Sequence, residues 1–457
     1  MCKGTTNFSN MQEEPTLFPL SKVQNKSVSL DFESPDVSSL GGLTLLREDK
    51  SSMSFIRDLA SCIPEWRKPE LIKHSLEEMC QQRIFQIAAG FEDCDDCDIL
   101  REDSVLKMMT NRLPGDDNLA SQPTMSRLEN HVNHKALYDI AECFVEHFIK
   151  SYEKTPSHII IDADDSNSNA YGQQLQIVFN QYYGEFCFMP LFLFEGHSRK
   201  LILPVLRPGR VNKRINVFGL LKRVLTRLRS VWPKTFIEFR GDGQFCGHEI
   251  MEWIEMQHNM GYIIGFSQNQ KLNKRIEPLV EKAKQEFENT GNPVKTYHTL
   301  YYKAGTWKYI HKLVVKIEVN TMGTNIRFIA TNLRISKDSI LNSQYLYEHY
   351  CGRGNCELDI KEVKTYLHAD RMSCHNFCAN QFRLFMYCAA YVVLHNLKSK
   401  YFRMTQFESA TIATFRAKVL LSACYIKELK GSIKIQLSKN NPAIVEISDA
   451  LRKLRAA

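Results

Sequence analysis

The chain has 457 residues, 44% hydrophobic, 24% charged and 11% aromatic, with only 21 glycines and 15 prolines, a composition that excludes fibrous and disordered classes. Its 59 lysines and arginines against 51 acids leave a net charge of +8, a mild pull toward polyanions, and its length corresponds to about three domains. No apolar run approaches the roughly 18 residues of a membrane span and the start lacks a basic-then-apolar leader, so a cytoplasmic protein without a membrane partner is expected, its 14 cysteines as thiols.

Residues 1–38 are polar and without sustained periodicity, which predicts a mobile arm. From 39 to 155 the pattern is helical. Ser104 is a candidate cap for a helix carrying Val105, Leu106, Met108 and Met109; after PGDDN a second helix starts near Ser121 and Pro123 and carries Arg127. The pair resembles a helix-turn-helix with an overlong connection.

The stretch HIIIDAD at 158–164 predicts a buried strand ending in acids, and 185–195 and 200–206 predict two more, parted by a GHSR turn. A basic amphipathic helix over 212–231 follows, then a strand over 235–240 running into Gly241 and Asp242, a helix around 247–257 and a strand over 261–267. The order βββ-α-β-α-β is that of a ribonuclease-H-like α/β fold, its first part spanning 156–270. Residues 271–334, a charged helix and then alternating strands with a turn at Met322-Gly323-Thr324, read as a β-rich insertion. Helical patterns resume over 335–400, the second part of the core, and 401–457 reads as a C-terminal helical region with one short strand at 432–437.

Charge is segregated along the chain. Residues 196–240 hold twelve basic side chains and one acid, and 91–103 hold seven acids and one base. The basic stretch is either a solvated helix face or a phosphate-contact surface, with Arg214, Arg223 and Arg227 as candidates for the second role.

Polar groups at the carboxyl ends of buried strands line the crevice of an α/β sheet. Asp162 and Asp164 end one strand and Asp242 follows another. A third acid lies in YLYEHYCGRGNCELDIKEVK, where Tyr350, Arg353, Glu357 and Lys364 recur as Tyr-x2-Arg-x3-Glu-x6-Lys. At about 100° per residue they fall within a ~60° stripe of one helix, although Gly352 and Gly354 delay a regular helix until about Asn355. Three carboxylates from separate elements suit a pair of Mg²⁺ or Mn²⁺ ions about 3.5 to 4 Å apart, which activate a nucleophile and stabilise the leaving oxygen of a phosphodiester. An arginine and a lysine beside them suit the flanking phosphates.

At these residues the chain resembles the DDE transposases of bacterial insertion sequences, specifically insertion-sequence family thirteen-eighty. The landmarks are LTLLRED at 43, the segment from HSLEEMCQQ at 74, LASQPTMSRLEN at 119, YGQQ at 171, FNQYYGEFCFMPLFLF at 179, LRPG at 206, FRGDGQF at 239, TNL at 331, YCGRG at 350 and CANQFRL at 378. The resemblance implies a catalytic triad of Asp164, Asp242 and Glu357. The family's Asp-x-Asp-x-Thr followed by two acids reads DADDSNS here, so Asp162 and Asp165 stay rivals for the first metal ligand. It further implies a DNA-binding role for the helical region 39–155, and cleavage of the element's terminal inverted repeats with strand transfer into target DNA. It also implies a homodimer in the synaptic complex and a place at the nucleoid. Tyr350, Arg353, Lys364 and Arg127 become candidate DNA contacts, and Trp307 either a platform for a flipped base or a sheet-core aromatic.

Cys94-x2-Cys97 and Cys374 with Cys378 lack the spacing and surroundings of a zinc cage, and no Walker-type loop calls for ATP. Two further readings are a transposase-derived regulator without strand transfer and a metal-dependent nuclease of the same fold.

Overall fold

The computed structural model describes residues 18–31, 34–170, 172, 174–209, 215–305, 307–334 and 339–456. Within the expected arm, β1 (Phe18–Val23) and β2 (Lys26–Leu30) form an exposed antiparallel hairpin, and β3 (Val37–Ser38) pairs with a strand near the C-terminus. The helices expected over 39–155 are α1 (Thr44–Glu48), α2 (Lys50–Ser61), α3 (Leu76–Ala89), α4 (Asp96–Leu100), α5 (Ser104–Met109), α6 (Gln122–His131) and α7 (His134–Lys150). Asp103 rather than Ser104 caps α5, its carboxylate accepting from the Leu106 N–H at 2.9 Å. Residues 110–121 separate α5 from α6, too many for a tight helix-turn-helix.

The central sheet has eight strands. They come from β4 (His158–Asp165), β8 (Leu191–Glu195), β9 (Leu201–Val205), β10 (Phe236–Gly241), β11 (Met260–Phe266), β12 (Val294–Tyr302), β13 (His311–Asn320) and β14 (Gly323–Thr331), in the order β12-β13-β14-β11-β10-β4-β8-β9. Strands β4, β10 and β11 run parallel, joined through α8 (Ile215–Val231) and α9 (His248–Glu255), and the other neighbours are antiparallel. Both faces of the parallel strands are covered, which is why 158–164 reads as a continuous apolar run.

The apolar stretch 185–195, expected as one strand, divides at Met189 and Pro190, since a proline offers no N–H to a ladder. Its first half, β7 (Glu185–Phe188), joins β5 (Ser168–Asn169) and β6 (Val178–Asn180) in a separate small sheet. The stretch 271–334 is α10 (Gln270–Thr290) followed by β12 to β14, and these strands continue the central sheet instead of forming a sheet of their own. Pairing β14 on β11, with Ile263 opposite Thr331, covers an edge that would otherwise be open.

Beyond the sheet come α11 (Ser339–Cys351), α12 (Gly354–Lys361), a π-helical turn at Glu362–Tyr366 and α13 (Phe377–Tyr401). After α14 (Ile412–Phe415), a hairpin of β15 (Cys424–Leu429) and β16 (Ser432–Leu437) precedes α15 (Ile444–Ala456). Strand β15 escapes sequence reading because CYIKEL has no clear alternation.

Helix α13 organises the helical half. It is buried on all sides, with Phe382, Leu384, Phe385, Met386, Tyr387 and Leu394 at most 1% exposed. Helices α2, α3, α6 and α7 pack on it, and so does β9, so the N-terminal helices and the sheet share one core. Each such side chain contributes roughly 1.5–3 kcal/mol of burial. By length and composition α13 could cross a membrane, but 94% of its most apolar window is buried inside this chain.

One consequence is acid lability at the α7–α13 contact. Burial, helped by nearby lysines, lowers His147 to about 4 and His395 to about 3, so both are neutral in the fold. Below the unfolded value near 6.5 only the unfolded chain takes up these protons, so stability falls by roughly 1.4 kcal/mol per pH unit for each histidine as the pH drops toward 4. Urea titrations at pH 7 and pH 5 should show this loss, with a His147→Gln/His395→Gln variant losing much less. Equal losses in the two proteins would place the acid-sensitive groups elsewhere.

Candidate active site

Strands β4 and β10 are parallel with Gly241 opposite Ala163, so Asp164 and Asp242 leave neighbouring strands at one level. Side chains alternate along a strand, which puts Asp162 on the face of Asp164 and Arg240 on the face of Asp242, one step deeper. There Asp162 accepts from Arg240 Nε at 2.5 Å and Nη2 at 2.7 Å, with the two residues 1% and 3% exposed. Both carboxylate oxygens are engaged, which removes Asp162 from the acids facing the crevice. Arg240 also donates to the His349 carbonyl at 2.7 Å and so ties β10 to α11. A Cβ on Gly352 would lie 2.7 Å from Arg240 Nη1, so the approach needs glycine there.

Asp165 turns the other way, to Arg207 and to Gln244 Nε2, the latter at 2.7 Å. Gln244 in turn donates its backbone N–H to Asp242 Oδ1 at 3.0 Å. Asp165 is therefore a clip between the ends of β4 and β9 and the loop after β10. The sequence landmarks LRPG and FRGDGQF contain Arg207, Arg240 and Gln244, but nothing local shows what those side chains meet.

Asp164 Oδ2 accepts from Arg353 Nη1 at 2.7 Å, and Arg353 Nη2 donates to Glu357 Oε1 at 3.0 Å. A single guanidinium thus bridges a strand-end acid and the acid of the Tyr-Arg-Glu-Lys signature. The Asp164 carboxyl stands raised at about 7, chiefly by burial and then by the charges of Asp242 and Asp165, against the pull of Arg353. Asp242 is also raised, first by burial. Glu357 is more open, its side chain 60% exposed.

The signature does not lie on one straight helix. Tyr350 is on α11, Arg353 is in the joint before α12, Glu357 is in the first turn of α12 and Lys364 is in the π-helical turn. The Tyr350 hydroxyl lies against Gly265, where a Cβ would come within 2.7 Å of it. Lys364 donates to the Asn167 carbonyl at 2.6 Å and to Asn167 Oδ1 at 2.9 Å, and holds the loop that leaves β4.

Asp164, Asp242 and Glu357 offer hard oxygen donors of the kind that suit Mg²⁺ or Mn²⁺, and burial raises the Asp164 and Asp242 carboxyls. Among the described residues no three acidic, histidine or cysteine side chains form a ready metal cluster, because Arg353 lies between Asp164 and Glu357.

The transposase DDE domain family, group 1, matches residues 20–457. The chain belongs to this family. No curated protein matches the transposase sequence. Among solved structures it is similar to a piggyBac transposase in a cryo-EM synaptic complex with hairpin DNA, at 10% identity and a TM-score of 0.44. That likeness covers 89% of this chain and 82% of the other.

Among the remaining expected contacts of the transposase, Trp307, Arg223 and Arg227 have partners within the chain. Trp307 packs edge to face with Phe266, Tyr302 and His311 at 5.6, 5.7 and 5.0 Å between ring centres, the sheet-side aromatic of its two readings. Arg227 grips Glu146 of α7 at 2.5 and 2.8 Å, and Arg223 lies over the Tyr138 ring at 5.8 Å. Arg214 lies outside the described residues, and Arg127 is exposed on α6. The acidic segment 91–103 meets bases of its own chain, with Glu92 on Arg371 and Asp93 on Arg383.

Proposed function

We propose that the chain is the transposase of an insertion sequence of family thirteen-eighty. It binds the terminal inverted repeats as a homodimer, cleaves the DNA ends and joins them to target DNA by two-metal-ion phosphoryl transfer. The observation that carries this reading is the meeting of Asp164 and Asp242, from adjacent parallel strands, with Glu357 through Arg353. The strand order β9-β8-β4-β10-β11, with the last three parallel, supports a ribonuclease-H-like reading of the core.

Asp164, Asp242 and Glu357 would hold the Mg²⁺ or Mn²⁺ ions, which supply an activated nucleophile and charge for the leaving oxygen. The rest is done by the chain. Asp162 and Arg240 lock the two strands beneath the acids, and the clip of Asp165, Arg207 and Gln244 fixes the loop that carries Asp242. Arg353 holds Asp164 and Glu357 through its two terminal nitrogens and would offer a guanidinium fork to a phosphate beside them, and Lys364 ties down the loop after β4.

The test is cleavage and joining of DNA carrying the repeats that flank the gene, with Mg²⁺ or Mn²⁺ and then with the metal chelated. Metal-dependent nicking at the ends followed by joined products is expected. Binding without cleavage would instead make the chain a DNA-binding regulator, and cleavage without joining a nuclease.

A further inference from the structure

The small sheet beside the acids carries an unusual surface. In the β6–β7 hairpin Tyr182 is 87% exposed, Phe186 55% and Phe179 44%, and Tyr183 is at the tip next to Tyr182 with the rings perpendicular at 4.9 Å. Four partly exposed aromatics on eight residues, with Phe179 and Phe186 packed edge to face at 5.4 Å, form a surface cluster, and exposed apolar surface of this kind marks a binding face. The hairpin is braced. Asn180 Oδ1 accepts the Tyr182 N–H at 2.9 Å, its Nδ2 donates to the Gly209 carbonyl at 2.9 Å, and Gly184 takes the left-handed turn with φ +70. Rings presented on a braced turn lose little freedom on binding.

Between this hairpin and the acid-bearing loops lies a cavity of about 430 Å³, lined by Phe179 and Tyr182 on one side and by Asp165, Arg207 and Gln244 on the other. The cavity is within the range of small-ligand sites, aromatic on one wall and hydrogen-bonding on the other.

We propose that the β6–β7 hairpin is a stacking platform that takes an unpaired nucleobase of the DNA substrate into this cavity, on Phe179 and Tyr182, beside the phosphate to be cut. The proposal rests on the transposase reading. A duplex keeps its base faces covered, so the platform acts on frayed, flipped or single-stranded nucleotides. The nucleobase is favoured over a protein or lipid partner because the aromatic wall faces the hydrogen-bonding groups of Asp165, Arg207 and Gln244 beside the strand-end acids. Trp307, by contrast, has its ring packed among three aromatic neighbours.

Base stacking contributes about 1–3 kcal/mol per base, or roughly 5- to 150-fold in affinity. Fluorescence anisotropy with labelled oligothymidylate and with a blunt duplex of the same length tests it on the full chain. A Phe179→Ala/Tyr182→Ala variant should bind the single strand about tenfold or more weakly while its duplex affinity stays within about twofold, and Tyr182→Phe should retain both. Unaltered thermal unfolding of the alanine variant would confirm that it is folded. Equal losses on both DNAs, or no loss on the single strand, would overturn the platform and leave the transposase reading standing. Failure of the wild type to bind either DNA would overturn both.

Discussion

Asp164→Asn, Asp242→Asn and Glu357→Gln are each expected to lower metal-dependent cleavage by at least about a thousandfold, equivalent to about 4 kcal/mol of transition-state stabilisation. Each change keeps the shape of the side chain and removes one anionic oxygen from the crevice. The stability readout separates this from unfolding. Asp164 is held in the fold with its carboxyl raised to about 7 from an ordinary value near 3.8, so its ionisation costs stability as the pH rises through that interval. Asp164→Asn should therefore unfold at a urea concentration no lower than wild type at pH 8. Asp162→Asn should behave in the opposite sense, since it strands the Arg240 guanidinium, 3% exposed, without its partner. A loss of roughly 3–5 kcal/mol is expected there, with activity falling only as the folded fraction falls. If Asp162→Asn is stable and Asp164→Asn is unstable yet active, the assignment of the two acids is reversed.

The second large effect lies among the helices packed on α13. Glu129, on α6 and 1% exposed, accepts from Arg83 Nε of α3 at 3.4 Å and from Arg383 Nε of α13 at 2.6 Å. Its Oε1 also takes the Cys94 thiol at 3.1 Å. Arg83, 1% exposed, spends its other donors on the carbonyls of Glu92 and Asp93. Removing the one carboxylate leaves two buried cations, and Glu129→Ala should cost about 3–5 kcal/mol in urea unfolding. Replacing all three by apolar residues of similar volume, as in Arg83→Met/Glu129→Leu/Arg383→Met, should recover most of that loss. A single-variant loss below about 1 kcal/mol would mean that water reaches the site and the triad does not anchor α6. The anchor bears on function because it fixes α6, whose outer face exposes Arg127, against the helix that also supports β9.

Much of the crevice was legible in the residues. The run HIIIDAD and the segment ending in Gly241-Asp242 announce strands with acids at or just past their ends, and both form as expected at β4 and β10. The Glu357 helix begins where Gly352 and Gly354 allow it, at Gly354. What escaped has a common cause. The split at Pro190, the clip of Asp165 and the bend between Tyr350 and Glu357 each depend on a partner brought in by another element. The N-terminal helices were legible one by one, but their periodicity is the same whether an amphipathic face meets its own neighbours or a helix some 300 residues later, such as α13.

By itself the sequence determined the local elements, the segregation of charge and the residue types available for phosphoryl chemistry, because hydrophobic period and strand-end position are properties of short windows. It left Asp162 and Asp165 as rivals of Asp164 for the first metal ligand. In the tertiary structure they take different partners, since Asp162 meets an arginine 78 positions away and Asp164 meets one 189 positions away. A carboxylate becomes a structural pair or an available ligand according to which cation reaches it and how much water is left around it, and both are set only when distant strands and helices come together.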